Sequence, residues 1–286
     1  MRKVDLVHVF TIDGTGGNPC PIVMEAGAMT ADEMQELART YGLEASFLLP
    51  PSSGDYDVAI RFFVPSHEME MCGHATVGSL WLLASAGLLP GRPVRVETRS
   101  GPVLGFIRRG DGGEPDVEIT QPVGRLAPIA PAEQDEVLAA LGVERAALAD
   151  LPFCNAVTSR VKTVVPLADA GRLNALDVDA RAIEAVCTRI DSTGLYPYAL
   201  LDARANRFEA RQFPRASGFV EDAATGIAAT ALAFALLSRG LADPGRPAIE
   251  VLQGRAMGRL SRIRVRIEFD GERATGCLLG GAVTRA

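Results

Sequence analysis

Residues 66 to 78 read SHEMEMCGHATVG, so His67, Glu68, Glu70, Cys72 and His74 crowd together just before the chain turns apolar. Side chains of these types can bind a metal, present a reactive thiol, or form one wall of a substrate pocket. The metal reading meets an obstacle in the spacing: there is no C-x-x-C, no H-E-x-x-H, and the one further histidine is His8. Residues in extended chain also point to alternate faces, which keeps all five from converging on one ion. The spacing therefore favours a site without metal. For the thiol, Cys72 stands immediately before an expected helix start, where the helix dipole lowers a thiol's pKa. It can equally be a small buried residue, as cysteines often are.

A pocket wall needs its acid or base from elsewhere, and Glu44 is a candidate. It lies in YGLEASFLLP, an otherwise uncharged run between Arg39 and Asp55. Such a carboxyl is either solvated in a loop or buried with a raised pKa, and the second suits a group that takes and returns a proton. Asp222 is a second carboxyl in a similar position, three residues before Thr225 and Gly226.

The elements that must position these groups come in two sets. CGHATVGSLWLLASAGL (72–88) aligns with TGIAATALAFALLSRGL (225–241) at Gly73/Gly226, Ala75/Ala228, Leu83/Leu236, Ser85/Ser238, Gly87/Gly240 and Leu88/Leu241, an offset of 153. GLEASFLL (42–49) resembles GLYPYALL (194–201), and GPVLG (101–105) resembles GRAMG (254–258), at nearly the same offset. Three blocks in one order mark a duplicated unit. The counterpart of Cys72 is then Thr225, that of Glu44 is Tyr196, and that of Asp222 is Met69. A threonine hydroxyl is too weakly acidic to be the second base of a symmetric two-thiol racemase, so the two halves are chemically unequal.

Each copy reads as strands around one apolar helix. DVAIRFFV (57–64) and RFEARQF (207–213) precede the helix, and β-rich runs follow it: PVRVET, VLGFI and DVEIT in the first copy, AIEVL and IRVRIEF in the second. Surface helices fit 30–41 and 132–141, the first with Thr30 and Glu33 in capping-box spacing. The expected fold is α+β, two pseudo-symmetric domains, each a curled, mostly antiparallel sheet around a central apolar helix. The expected domains are 1–122 and 123–286, with QPVGRLAPIAPAE (121–133) as linker and the last strand able to pack on the first domain. Both central helices begin at a glycine, Gly73 and Gly226. Glycine there lets a ligand approach backbone N–H groups at the positive helix end, which suits a small carboxylate bound between the domains.

Composition narrows the classes further. Apolar residues make up 48% of the 286, charged residues 22%, and the formal charge is −6 without any basic run. That balance argues against a nucleic-acid or anionic-membrane surface. Only two lysines occur, Lys3 and Lys162, leaving few candidates for Schiff-base chemistry. The five cysteines, Cys20, Cys72, Cys154, Cys187 and Cys277, are odd in number and widely spread, which is thiol usage in a reducing compartment. Asp5 and His8 interrupt the apolar core a signal peptide would need, and the expected location is cytoplasmic. The uncharged stretch 72–90 approaches membrane-span length, but its His, Ser, Thr and Gly residues fit a buried domain helix, and no membrane span is expected.

With these residues in view, the chain resembles the PhzF-like phenazine-biosynthesis isomerases, a branch of the diaminopimelate-epimerase-like fold. The resemblance runs through VHVFTIDGTGGNPCPIV, LEASFLLP, IRFFVPSHEMEMCGHATVGSLW, ETRSGPV, GFVEDAATGIAATALA and LQGRAMGRLSRIRV. It implies an active site between two similar domains, a homodimer, and neither cofactor nor metal. Carried over by position, Glu44 would be the catalytic acid/base, His74 and Asp222 its polar partners, and Gly73 a backbone N–H donor. Asn18, Cys72, Thr225, Gly226 and Ile227 complete the expected substrate-binding set. The implied chemistry moves a carbon-bound proton on a dihydro-hydroxyanthranilate-type carboxylate. The family pattern usually reads E-D-P-x-T-G-S, whereas this chain has Ile227 at the last position, which removes a hydroxyl and adds bulk there. A cofactor-independent racemase or epimerase, or a non-catalytic small-molecule binding protein of the same fold, are the alternative readings.

Overall fold

The computed structural model describes residues 3–110, 112–241 and 248–286. The chain forms two compact units: Met1–Thr120 with Leu279–Ala286, and Gln121–Leu278. The C-terminal segment Leu279–Ala286 thus belongs with the first unit.

In the first unit, β1 (Asp5–Thr11) pairs antiparallel with β2 (Asn18–Val23) on one side and with the C-terminal strand Ala282–Arg285 on the other. β2 runs parallel to β3 (Ala45–Leu49), and α1 (Ala31–Tyr41) makes the crossover. The capping box expected at Thr30 and Glu33 is formed: Glu33 N–H donates to Thr30 Oγ1 at 3.2 Å, and Thr30 N–H to Glu33 Oε2 at 2.8 Å. α1 buries Met34 and Ala38 against Val23, Ala45, Phe47 and Phe63. β3 pairs antiparallel with β4 (Val58–Phe63), which pairs with the short β5 (Glu68–Met69). α2 (Gly73–Ser85) then crosses to β6 (Val94–Thr98), parallel to β4, and β7 (Gly101–Arg109) and β8 (Pro115–Gln121) continue antiparallel.

α2 is the centre of this unit. Every residue from Gly73 to Leu82 is buried, and the helix contacts β1, β2, β3 and β7, so the sheet curls around it. A helix enclosed on all sides needs no polar face, which explains its uniformly apolar sequence. It also needs one close approach: a Cβ on Gly78 would stand 2.9 Å from Val9 Cγ2 and 3.1 Å from Val7 Cγ2. Glycine lets the helix settle against β1.

The second unit repeats this connectivity. β9 (Arg125–Pro128) pairs antiparallel with β10 (Cys154–Val157), and β10 with β11 (Val161–Leu167). β11 is parallel to β12 (Gly194–Asp202), with α4 (Ala170–Asn174) and α5 (Ala180–Arg189) in the crossover. β12 pairs antiparallel with β13 (Arg207–Ala210) and β14 (Phe213–Pro214). α6 (Gly226–Leu237) crosses to β15 (Ile249–Gln253), parallel to β13, and β16 (Ser261–Asp270) follows antiparallel. α6 is buried from Gly226 to Leu236 and contacts β9, β10, β11 and β16. The fold class is the α+β expected from sequence, with one enclosed helix per unit.

Two local expectations needed correction. The stretch 121–133 is not a plain linker: β9 lies within it and α3 (Pro131–Leu141) begins there, capped by the Glu133 side chain accepting from Ala130 N–H at 2.9 Å. RFEARQF is two strands rather than one, divided at Arg211 and Gln212. α3 adds Val137, Leu138 and Leu141 to a core with Ile183, Val186 and Leu195. Among the described residues no helix is long and apolar enough to cross a membrane. α2, at 13 residues, spans roughly 20 Å at about 1.5 Å per residue, short of a bilayer core of about 30 Å.

Candidate active site

The 66–78 stretch sorts itself on folding. Glu68 is held by Arg61 in a two-pronged pair at 2.7 and 2.8 Å, and Arg99 reaches its Oε2 at 2.7 Å. The Arg61 guanidinium beside it holds the Glu68 carboxyl below the usual range. Glu68 is thus committed to structure, and Glu70 is exposed. His67 is exposed too, its Nδ1 2.8 Å from Ser66 Oγ. Of the five polar candidates, only Cys72 and His74 are buried, 4% and 2% exposed.

There they meet Glu44, which enters from the residue before β3. The Cys72 thiol donates to Glu44 Oε2 at 3.0 Å. His74 Nδ1 lies 3.3 Å from Cys72 Sγ and 3.4 Å from Glu44 Oε2. Glu44 and Cys72, 28 positions apart in sequence, therefore share one small volume with His74, and Gly73 sits between the two residues at the start of α2. The Glu44 side chain keeps 15% of its surface exposed. It is the part of the cluster that a solute can reach.

Burial sets the protonation states. It lowers the His74 pKa from 6.5 to about 4, so the imidazole is neutral at neutral pH and its approach to Glu44 is not an ion pair. Burial first, and the Glu44 charge second, push the Cys72 thiol well above its ordinary value. The helix-dipole effect expected to lower it is outweighed. With two acceptor atoms beside Nδ1, the tautomer that carries its proton there is favoured, and Nε2 becomes an acceptor. His74 Nε2 is buried and meets no hydrogen-bond partner among the described residues.

Asn18, also 6% exposed, opens β2 opposite Val9 of β1, the strand against which α2 packs.

The second unit builds its own polar cluster at the start of α6. The Thr225 hydroxyl donates to Asp222 Oδ2, and Asp222 is 8% exposed. Asp222 N–H donates to Gln212 O at 3.0 Å, which fixes the approach to the helix. Gln253, fully buried on β15, ties these together. Its Oε1 accepts from Tyr196 Oη at 3.0 Å and from Thr225 N–H at 3.2 Å, while Nε2 donates to Asp222 O at 2.7 Å. Burial, with the Asp222 charge, raises the Tyr196 phenol well above its ordinary pKa, so it stays a donor. Gln253 was missed from sequence, although it stands one residue before the repeated glycine block GRAMG. A glutamine in an apolar strand was the available signal. Gly226 and Ile227 are the first two residues of α6, and Ile227 is 7% exposed.

One device occurs in both units ahead of the central helix. Arg211 grips Glu221 at 3.0 and 2.7 Å, donates to the carbonyls of Leu176 at 2.7 Å and Leu173 at 3.2 Å, and lies 4.9 Å over the Phe213 ring. Arg61 makes the same two-pronged grip on Glu68 and lies 5.2 Å over the Phe63 ring. A two-pronged arginine–carboxylate pair fixes orientation as well as distance. In the first unit it steadies the approach to Cys72, in the second the residue adjoining Asp222.

Residues 7–286 match the family described as phenazine biosynthesis-like protein, PhzC-PhzF. The chain belongs to this family. Among curated relatives, it is 31% identical to the trans-2,3-dihydro-3-hydroxyanthranilate isomerase of Pseudomonas aeruginosa, over 98% of this chain and 96% of that one. It is 32% identical to an uncharacterized isomerase of Deinococcus radiodurans, over 98% and 92%. Among solved structures, the PhzF-family phenazine biosynthesis protein of Bacillus anthracis superposes with a TM-score of 0.84 at 25% identity, covering 99% of this chain and 96% of that one. The chain is accordingly an isomerase of the PhzF family.

Proposed function

We propose that this PhzF-family chain is a cofactor-independent isomerase that moves a carbon-bound proton on a small cyclic or unsaturated carboxylate, with Glu44 as the proton shuttle. The observation that carries the reading is the convergence of Glu44, Cys72 and His74 at the start of an enclosed helix, with Glu44 the most accessible of the three. The carboxylate takes a proton from one carbon, breaking C–H and forming O–H. The electron pair shifts along the unsaturated system, and Glu44 returns the proton to another carbon. No electrons leave or enter, so no oxidant or reductant is required.

The surroundings suit each step. The Cys72 thiol, protonated at neutral pH, supplies a hydrogen bond that steadies the Glu44 carboxylate. His74 Nε2 offers a buried acceptor for a substrate hydroxyl or amine. The leading N–H groups of α2 and α6, at Gly73 and Gly226, have no acceptor within their own helices and suit a carboxylate. The reading retains Asn18, Asp222, Thr225 and Ile227 as substrate contacts, as the resemblance implies. The relative from Pseudomonas aeruginosa suggests a dihydro-hydroxyanthranilate-type substrate class, and Ile227 in place of the family's usual serine argues for a different ring substituent near α6.

A racemase needs a second base, and Thr225 at the position matching Cys72 is a poor one. Binding without chemistry is the competing reading, again because of Ile227. The test is Glu44→Gln: it should bind a carboxylate ligand with near-native affinity and lose turnover. Near-native turnover in that variant would rule out Glu44 as the proton shuttle.

A further inference from the structure

The 66–78 spacing taken alone disfavours a metal, but folding changes the ligand set, because Glu44 joins Cys72 and His74. The three ligand atoms Glu44 Oε2, Cys72 Sγ and His74 Nδ1 form a triangle with edges of 3.0, 3.3 and 3.4 Å. In tetrahedral zinc sites, with Zn–S near 2.3 Å and Zn–N or Zn–O near 2.0–2.1 Å, the edges between ligand atoms are about 3.5 Å from sulfur and about 3.3 Å between nitrogen and oxygen. The triangle needs to open by at most about half an ångström along the Cys72–Glu44 edge to hold such an ion.

We infer that Glu44, Cys72 and His74 form a binding site for a thiophilic divalent cation of the zinc class, and that such a cation reversibly silences the enzyme by occupying its acid/base. Three protein ligands of mixed sulfur, nitrogen and oxygen type, with a fourth position left to water or a carboxylate, are the donor set zinc accepts. A thiolate and a carboxylate together bring two negative charges, which a dication cancels, so the assembled site is neutral in its buried setting. Binding forms a metal–sulfur bond and breaks Cys72 S–H, with that proton released to solvent, while the proton His74 carries on Nδ1 moves to the unpartnered Nε2 and leaves the Nδ1 lone pair for the ion. The exposed part of Glu44 gives the ion its approach. The remaining carboxyl candidates of 66–78 do not compete, since Glu68 is held by two arginines and Glu70 is exposed.

That the cation binds rests on geometry alone; that it stops turnover rests on the proposed role of Glu44. The experiment separates the two. Reduced, chelator-treated protein is titrated with Co2+ and followed by absorption, then with Zn2+ as competitor. One equivalent of Co2+ should bind with a near-ultraviolet thiolate-to-cobalt charge-transfer band. The band should vanish in Cys72→Ser and persist in Cys154→Ser, whose half-buried thiol lies in the other unit. Glu44→Gln and His74→Ala should each weaken Zn2+ binding at least about tenfold, since even outer-sphere changes cost that much. Absence of the band in wild type, its persistence in Cys72→Ser, or native Zn2+ affinity in both Glu44→Gln and His74→Ala overturns the site. If Zn2+ binds as described yet leaves turnover intact, the inhibitory role falls, and with it the placement of Glu44 at the reacting carbon.

Discussion

The Cys72 thiol donates to Glu44 Oε2 at 3.0 Å, which makes the sulfur a support for the carboxylate and leaves the carboxylate free to act. With its pKa pushed well above the ordinary thiol value, Cys72 is a weak nucleophile at neutral pH. Serine keeps a donor at the same place. Because the serine hydroxyl keeps most of that bond to the carboxylate, Cys72→Ser should lower kcat/KM by no more than about tenfold, less than the full worth of a hydrogen bond to a charged group. Glu44→Gln should lower it at least about a hundredfold, as loss of a general acid/base does. Steady-state kinetics on both variants checks this, and equal losses would restore the thiol as a catalytic base.

His74 makes stability depend on pH in a defined window. The folded protein keeps the imidazole unprotonated down to about pH 4, whereas an unfolded chain takes the proton near pH 6.5. Between those values the unfolded state binds more protons, so this contribution is full above pH 6.5 and is lost as pH falls toward 4. The loss should be roughly 3 kcal/mol at full burial. Urea unfolding at several pH values should show a shallower decline for His74→Asn than for wild type across that window. Parallel profiles would mean the imidazole is not held neutral.

The buried arginine pair of the second unit should matter more to stability than its exposed relatives. Arg211 and Glu221 are 8% and 10% exposed, and Arg211 also satisfies two carbonyls. Arg211→Met leaves Glu221 uncompensated and should cost about 3–5 kcal/mol. Arg99, 59% exposed at its contact with Glu68, should cost under about 1 kcal/mol as Arg99→Ala. Denaturant midpoints at neutral pH distinguish the two, and similar costs would contradict the burial argument.

Gln253 positions the start of α6 without being expected to touch substrate. Gln253→Ala leaves the Tyr196 hydroxyl, the Thr225 N–H and the Asp222 carbonyl without their partner, at a cost of at least about 2 kcal/mol. If Asp222 acts on substrate, the folded variant should also lose kcat while ligand affinity changes little. A stability loss with unchanged kcat would confine Gln253 to structure.

Much of this was legible in the sequence because two features were strong. The enclosed helices announced themselves as long uncharged runs, and their alignment at Gly73 and Gly226 exposed the duplication. Thr30 and Glu33 gave the start of α1 by spacing alone. What stayed hidden depended on contacts between distant segments. Nothing in SHEMEMCGH shows that Glu68 is claimed by Arg61 and Arg99 while Cys72 and His74 turn toward Glu44. The expected drop in the Cys72 pKa failed for the same reason, since local helix position is visible in sequence and burial beside a carboxylate is not. Phe10 is a further case: φ of +68° for a buried aromatic residue within β1, beside a register shift between Val9 and Thr11, contradicts the local preference of phenylalanine.

The most direct test of the central claim is solvent deuterium incorporation, read by mass spectrometry, across a panel of small cyclic and unsaturated carboxylates with wild type and Glu44→Gln. The expected result is deuterium gained at carbon in at least one compound with wild type and none with Glu44→Gln. Incorporation at equal rates with both proteins would contradict the assignment of the proton shuttle to Glu44. Tight binding of a panel member with no incorporation by wild type would contradict the isomerase reading for that ligand and favour a binding protein.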